Sequence, residues 1–289
     1  MLLFRYHYPR SLLIHYIRQK WAGKFIAVLI PQRISIKIAK EIMTVTENVF
    51  AIIVPCYNES LRLQGEKFLS YAKANPGFDI WFANDGSTDN TLEMLHQIAA
   101  KSSGNIKVYD VSPNGGKAEA IRKAMNYLLG LKQYLHIGFI DADLSAPLEE
   151  INPLYEVALN RNLLIVAGAR VKLVGKTLFR SPVRHYLGRV FATYYDTLLK
   201  LRNYDTQCGL KIFDVHIAQK IFTETFVSNW FFDIELFLRT RREIGFEQYY
   251  IQIAELPLNE WKEVKGSKLK LVDFLIAPFE VLKIYRKYK

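Results

Sequence analysis

The sequence predicts an α/β domain with a mostly parallel sheet flanked by helices. Two observations carry that prediction. Four short apolar runs each stop at a polar turn, and each turn leads into a helix-compatible segment. Strand, turn and helix repeated in this order are the sequence form of right-handed βαβ units. Length bounds the size: 289 residues, half of them hydrophobic, suit one sizeable domain or one and a half.

The elements follow in order. Residues 49–54 form the first strand, which ends at Pro55-Cys56-Tyr57-Asn58-Glu59 before a helix over 61–74. Ile80-Trp81-Phe82-Ala83 ends at Asn84-Asp85-Gly86-Ser87-Thr88-Asp89, ahead of a helix over 91–102. Residues 106–111 end at Ser112-Pro113-Asn114-Gly115-Gly116-Lys117, and a helix follows over 118–131. Ile137–Ile140 ends at Asp141-Ala142-Asp143, with a helix over 148–160 behind it. All four turns sit at strand C-terminal ends, so they converge on one rim, where open α/β proteins hold ligands. Further on, residues 230–242 read as a mostly buried helix.

Each turn offers distinct chemistry. Asp141 and Asp143, at i and i+2 of a strand end, can share a hard divalent cation, Mg²⁺ or Mn²⁺, whose shell phosphate oxygens and water complete. Taken alone, such a pair is more often a solvated turn. Asp85 can accept hydrogen bonds from a base or ribose hydroxyl, and Asp89 is equally a helix cap. Lys117 and the backbone N–H groups before it can meet a diphosphate at a helix start. The turn is not a P-loop, since Val111 stands where the first glycine belongs, and no Gly-x-Gly-x-x-Gly occurs.

In their order and spacing, these four turns resemble the inverting family-2 glycosyltransferases with the A-type nucleotide-sugar fold. The second half narrows the likeness: Gly168-Ala169-Arg170, Arg180-Ser181-Pro182-Val183-Arg184, Asp205-Thr206-Gln207-Cys208-Gly209-Leu210-Lys211, Trp230-Phe231-Phe232-Asp233-Ile234-Glu235 and Gly266-Ser267-Lys268. That series is similar to the dolichyl-phosphate β-glucosyltransferases and their bacterial polyprenyl-phosphate relatives. The resemblance implies a nucleotide-sugar donor, UDP-glucose foremost, held by Pro55, Tyr57, Asn58, Glu59, Asp85, Lys117, Asp141 and Ala142. It implies a metal on Asp141 and Asp143, and a polyprenyl phosphate acceptor met by Arg170, Arg180, Arg184 and Lys268. Asp143, Arg170 and Asp233 are then the catalytic candidates. An ionised phosphate needs positioning and neutralisation more than a base, and a guanidinium forks onto phosphate in a bidentate way. Asp233 would serve as base in the alternative, a soluble enzyme acting on a hydroxyl; it equally reads as a cap of its helix. The likeness has departures. Asn84-Asp85 replaces the family's usual pair of acids, and Trp230 follows Asn229 rather than the arginine of the processive synthases, which points to single addition.

The net charge of +11 is unevenly placed. Residues 1–40 carry eight Lys/Arg and no acid, residues 265–289 come to +5, and the rest comes to −2. A third reading is a non-catalytic nucleotide-sugar or nucleic-acid binding protein; the presence of both Asp141 and Asp143 argues against lost catalysis, and a near-neutral body argues against a nucleic-acid partner. Both ends mix cations with aromatic and aliphatic residues, as amphipathic elements on an anionic membrane surface do. The other reading is that they pack on the domain or on a second copy. No run reaches the ~18–20 apolar residues a spanning helix needs. The expected organisation is a basic amphipathic segment over 1–45, a catalytic domain over 46–268 and a basic amphipathic helix over 269–289. Within the domain, 46–145 is the nucleotide half and 146–268 the acceptor half. The expected place is the cytoplasmic face of a membrane. Cys56 and Cys208 read as reduced core or rim residues.

Overall fold

The computed structural model describes residues 49–179, 193–264 and 271–289. Seven strands form the main sheet in the order β3-β2-β1-β4-β7-β5-β8. They are β1 (Phe50–Cys56), β2 (Phe78–Asn84), β3 (Ile106–Asp110), β4 (His136–Phe139), β5 (Ile165–Ala169), β7 (Lys211–Asp214) and β8 (Ile253–Pro257). A two-stranded ribbon pairs β6 (Thr177–Phe179) with β9 (Glu260–Lys262). β1 pairs in parallel with both β2 and β4, and β2 with β3, as the repeated strand–turn–helix pattern requires. The exception is β7, which runs antiparallel between β4 and β5.

Alternation along β1 shows why this strand is central. Phe50, Ile52 and Val54 face one apolar cluster, with α1 (Gly65–Ala74), α2 (Thr91–Lys101) and α4 (Ile151–Arg161). Ala51 and Ile53 face the other, with α3 (Lys117–Leu131), α5 (Val215–Ile221), α6 (Phe232–Ile244) and α7 (Phe246–Gln252). A strand covered on both faces reads as a continuous apolar run, which is how it looked in the sequence.

Several boundaries differ from expectation. α1 starts at Gly65 rather than 61, because the N–H groups of Arg62 and Leu63 both bond to Glu59 O and close a tight turn first. A short 3₁₀ turn, Leu148–Glu150, precedes α4. The buried helix expected from 230 begins at Phe232.

The C-terminal helix α8 (Leu271–Tyr288) follows, in part, the second reading of the basic ends, packing on the domain. Ala277, Val281 and Ile284 bury their side chains in the core, with Tyr285 and Tyr288 packed beside them. Tyr288 also donates to Glu235 Oε2 and accepts from Arg239 Nε on α6. From Ala277 onward an apolar stripe of this helix packs on its own domain, as burial of a hydrophobic stripe favours. Ile276 and Phe279 remain exposed. No helix among the described residues is long and apolar enough to cross a membrane. The segment over 1–45 lies outside the described residues.

Candidate active site

The rim formed by the C-terminal ends of β1, β2, β4 and β5 encloses a cavity of about 700 Å³. Pro55, Tyr57, Glu59, Asp85, Lys117, Asp141, Ala142, Asp143, Arg170 and Asp233 all line it. Ten candidates scattered over almost 180 positions thus meet at one place. Asn58 is the exception. It adopts a left-handed conformation (φ 51°), and its side-chain oxygen accepts from the N–H of Thr88. It ties the first turn to the second and does not line the cavity. Arg180, Arg184 and Lys268 lie outside the described residues.

Asp85 is nearly fully buried, and its carboxylate is occupied by the third turn. Oδ1 accepts from the Gly115 N–H at 2.8 Å, and Oδ2 from the Gly116 N–H at 2.8 Å and Asn114 Nδ2 at 3.1 Å. The backbone donors expected to face a diphosphate therefore face Asp85, which fixes the loop that carries Lys117. Gly86 makes this approach possible. At φ +60° a side chain there is strained, and its Cβ would stand 2.7 Å from the Asn114 nitrogen. Asp89 binds Ser60 and Thr91, so it joins two turns. Its burial is slight and works the other way, so these bonds hold its carboxyl down at about 2.

Lys117 places Nζ 2.5 Å from Asp141 Oδ1, with its side chain still 39% exposed to the cavity. Desolvation opposes its charge, but Asp141, Asp233 and Asp143 together raise the ammonium above its ordinary pKa. Asp143 accepts from the N–H and hydroxyl of Ser145, at 2.9 and 2.8 Å, which sets its rotamer. Gly209 lies directly against Asp141, since a Cβ there would be 2.1 Å from Asp141 Oδ2. The carboxylates of Asp141 and Asp143 are hard oxygen donors that suit Mg²⁺ or Mn²⁺. No group of three acid, His or Cys side chains among the described residues could hold a metal. A cation here would take most of its shell from phosphate oxygens and water, so the donor set fits a metal shared with a diphosphate.

The other wall is built from paired charges. Arg170 forks onto Asp205, with Nε and Nη2 each 2.7 Å from a carboxylate oxygen. Desolvation works against both charges. Each partner outweighs it, raising Arg170 above its ordinary range and holding Asp205 at about 2. The guanidinium expected to fork onto phosphate thus forks onto a carboxylate of its own chain, through Nε and Nη2, and Nη1 takes no part in that pair. The guanidinium stacks over Trp261 at 5.6 Å. Asp233 is not a helix cap. Its Oδ1 lies 2.6 Å from Nζ of the fully buried Lys211, which also donates to Cys208 O. Desolvation raises the Asp233 carboxyl above its ordinary range, although Lys211 and Lys117 pull the other way.

Two side chains of the Asp205–Lys211 motif were given no role from the sequence and bear on this site. Lys211 is one, fully buried behind the cavity against Asp233. Gln207 is the other. Glu59 Oε2 and Gln207 Nε2 are buried, line the cavity and have no hydrogen-bond partner among the described residues. Buried polar atoms are normally paired, so these two ask for a ligand.

A mostly parallel sheet with paired carboxylates, a lysine and an arginine on its C-terminal rim defines an A-type nucleotide-sugar transferase fold. Residues 51–222 match glycosyl transferase family 2, and the chain belongs to that family and is a glycosyltransferase. The dolichyl-phosphate beta-glucosyltransferase of Homo sapiens is 32% identical over 238 residues, covering 76% of this chain and 69% of the relative. That of Dictyostelium discoideum is 30% identical over 238 residues, covering 77% and 69%. Among solved structures, glucosyl-3-phosphoglycerate synthase from Mycobacterium tuberculosis with Mn²⁺, UDP and glucosyl-3-phosphoglycerate superposes with a TM-score of 0.57 at 16% identity, covering 83% of this chain and 80% of that one. Mannosyl-3-phosphoglycerate synthase from Rubrobacter xylanophilus gives 0.60 at 14%, covering 97% and 78%. At such identities the likeness is one of fold.

Proposed function

We propose that this enzyme moves a single glucose from UDP-glucose onto a polyprenyl phosphate, with inversion and with a divalent cation, at an anionic membrane surface. The relatives named as dolichyl-phosphate beta-glucosyltransferases support the donor and acceptor classes. The observation that carries the reading is the single cavity lined by Lys117, Asp141, Asp143 and Arg170. Lys117 and Asp141 fit the diphosphate end, and Arg170, whose Nη1 takes no part in the pair with Asp205, fits an incoming phosphate. A cation on Asp141 and Asp143 would offset charge developing on the departing diphosphate. Arg170 neutralises and orients an acceptor oxygen that is already ionised, while Trp261 covers its guanidinium face. The basic segment over 1–45 would hold the enzyme on the cytoplasmic face of the membrane.

The test is to incubate the protein with nucleotide sugars, Mg²⁺ or Mn²⁺ and a polyprenyl phosphate, in parallel with neutral alcohols, and to weigh the lipid product. A glucosyl phosphopolyprenol formed only with cation is the expected result. Transfer to alcohols alone would reject the acceptor assignment. Salt-sensitive binding to anionic vesicles, lost on removing residues 1–40, is expected on the same reading; unchanged binding would reject the membrane role of that segment. One observation favours a hydroxyl acceptor instead: the raised Asp233 carboxyl suits a base. Lys211 at 2.6 Å argues against it by occupying that oxygen. A pH–rate profile governed by one base near neutrality would favour the second reading.

A further inference from the structure

The segment 205–209 runs between two fixed points, and Gln207 and Gly209 along it line the cavity. At one end Asp205 holds Arg170; at the other Gly209 lies against the carboxylate of Asp141. It is held at almost every residue. The N–H groups of Tyr204 and Asp205 donate to Glu255, Thr206 Oγ1 donates to Tyr195 OH at 3.1 Å, and Cys208 O accepts from Lys211 Nζ. Gln207, in the middle, lines the cavity, and its side-chain nitrogen is buried behind that lining with no hydrogen-bond partner among the described residues. A loop fixed this thoroughly does not release its central side chain to find a partner elsewhere.

Taken with the proposed transfer reaction, on which this inference rests, the position has a chemical meaning. A sugar displaced in line must sit between the departing diphosphate and the attacking oxygen. Asp141 marks the first and Arg170 the second, and Gln207 stands on the stretch of chain that joins them. We infer that Gln207 donates a hydrogen bond from its carboxamide to a hydroxyl oxygen of the transferred hexose, and so takes part in selecting the sugar. A neutral amide suits this task. It recognises a hydroxyl without adding a charge beside Asp141, and a site built to pair a hydroxyl discriminates strongly against sugars lacking it. The second unpartnered atom, Glu59 Oε2, is an acceptor at the tip of β1 and falls on the nucleotide side.

The experiment separates the sugar from the nucleotide. UDP and UDP-glucose binding are measured by calorimetry with Mn²⁺ for the full chain and for Gln207→Leu, which removes the amide at similar size. UDP affinity is expected to stay within about twofold, while UDP-glucose affinity and kcat/KM fall on the order of 10- to 100-fold. Among UDP-glucose analogues lacking one hydroxyl, one should bind the unmodified protein as weakly as the variant binds UDP-glucose, and the variant should not tell the two apart. If Gln207→Leu does not fold, Gln207→Met removes the donor at similar length without adding a charge, and the same pattern is expected. Unchanged UDP-glucose affinity with intact UDP binding overturns the inference alone. An equal loss for UDP and UDP-glucose also overturns it, assigning Gln207 to the nucleotide or the loop. No UDP binding by the unmodified protein overturns the donor reading and this inference with it.

Discussion

The two walls of the cavity are held by different physics. The wall from β1 to β4 is tied by side chains bonding to nearby backbone: Asp85 to Gly115 and Gly116, Asn58 to Thr88, Asp143 to Ser145. The wall from β5, β7 and α6 is tied by buried opposite charges, Arg170 with Asp205 and Lys211 with Asp233. Removing one bond from the first wall leaves neighbours that water can reach. Removing one charge from the second leaves its partner stranded. The first wall can therefore adjust around a ligand, whereas the second is a rigid frame on which a nucleophile is positioned.

The largest expected effect tests that contrast directly. Lys211→Met should cost about 3–5 kcal/mol, because Asp233 keeps a charge without its counter-ion in a buried place. Urea unfolding measures it. Adding Asp233→Leu to the same chain should restore much of the loss, since an apolar pair of similar volume needs no neutralisation. If Lys211→Met unfolds at the urea concentration of the unmodified protein, the second wall is not held by this pair and the contrast collapses.

That difference also explains what the sequence could reveal. The first wall was legible because it is local. A run such as residues 49–54 or Ile80–Ala83 announces a buried strand, and the turn behind it is the rim. Even so, spacing could not show that Asp85 spends its carboxylate on the next turn, since that bond spans 30 residues. The second wall depends on β7, four residues too short to carry a periodic signal. By running antiparallel between β4 and β5, it sets Lys211 beside Phe139 on one side and Ala167 on the other. Asp233 then finds a lysine 22 positions away, and a cap was the natural reading without it. The two readings of the C-terminal helix stayed open for a related reason. Its amphipathic pattern shows that one face is buried, but not whether membrane or protein covers it.

A smaller effect concerns acid. Asp205 titrates near 2 in the folded protein, below the 3.8 of a free side chain. A depressed carboxyl adds stability above its unfolded pKa and loses it as pH falls through the folded value. The unmodified protein should accordingly lose roughly 2 kcal/mol from this group between about pH 5 and pH 2. Arg170→Ala removes the main cause of the depression. The stability gap between the two chains should be widest near neutrality and narrow steadily over that window. A gap independent of pH would mean that Arg170 stabilises by packing on Trp261 alone.

The smallest stability effect belongs to the first wall and sharpens the contrast from the other side. Lys117 is paired with Asp141, yet much of its side chain meets cavity solvent, so the pair contributes little to folding. Lys117→Ala should leave the urea midpoint almost unmoved. Its function should suffer more. Asp141, Asp233 and Asp143 all act on the ammonium, and without it an incoming diphosphate meets these carboxylates with one cation fewer beside them. UDP affinity measured by calorimetry should drop roughly 10-fold or more, in line with the loss of one charge-assisted contact. High salt should narrow the difference by screening what remains of the repulsion. If Lys117→Ala instead destabilised the fold as much as Lys211→Met while binding UDP normally, the two walls would have exchanged roles: the lysine at the start of α3 would be the structural charge, and the buried lysine on β7 the one poised for substrate.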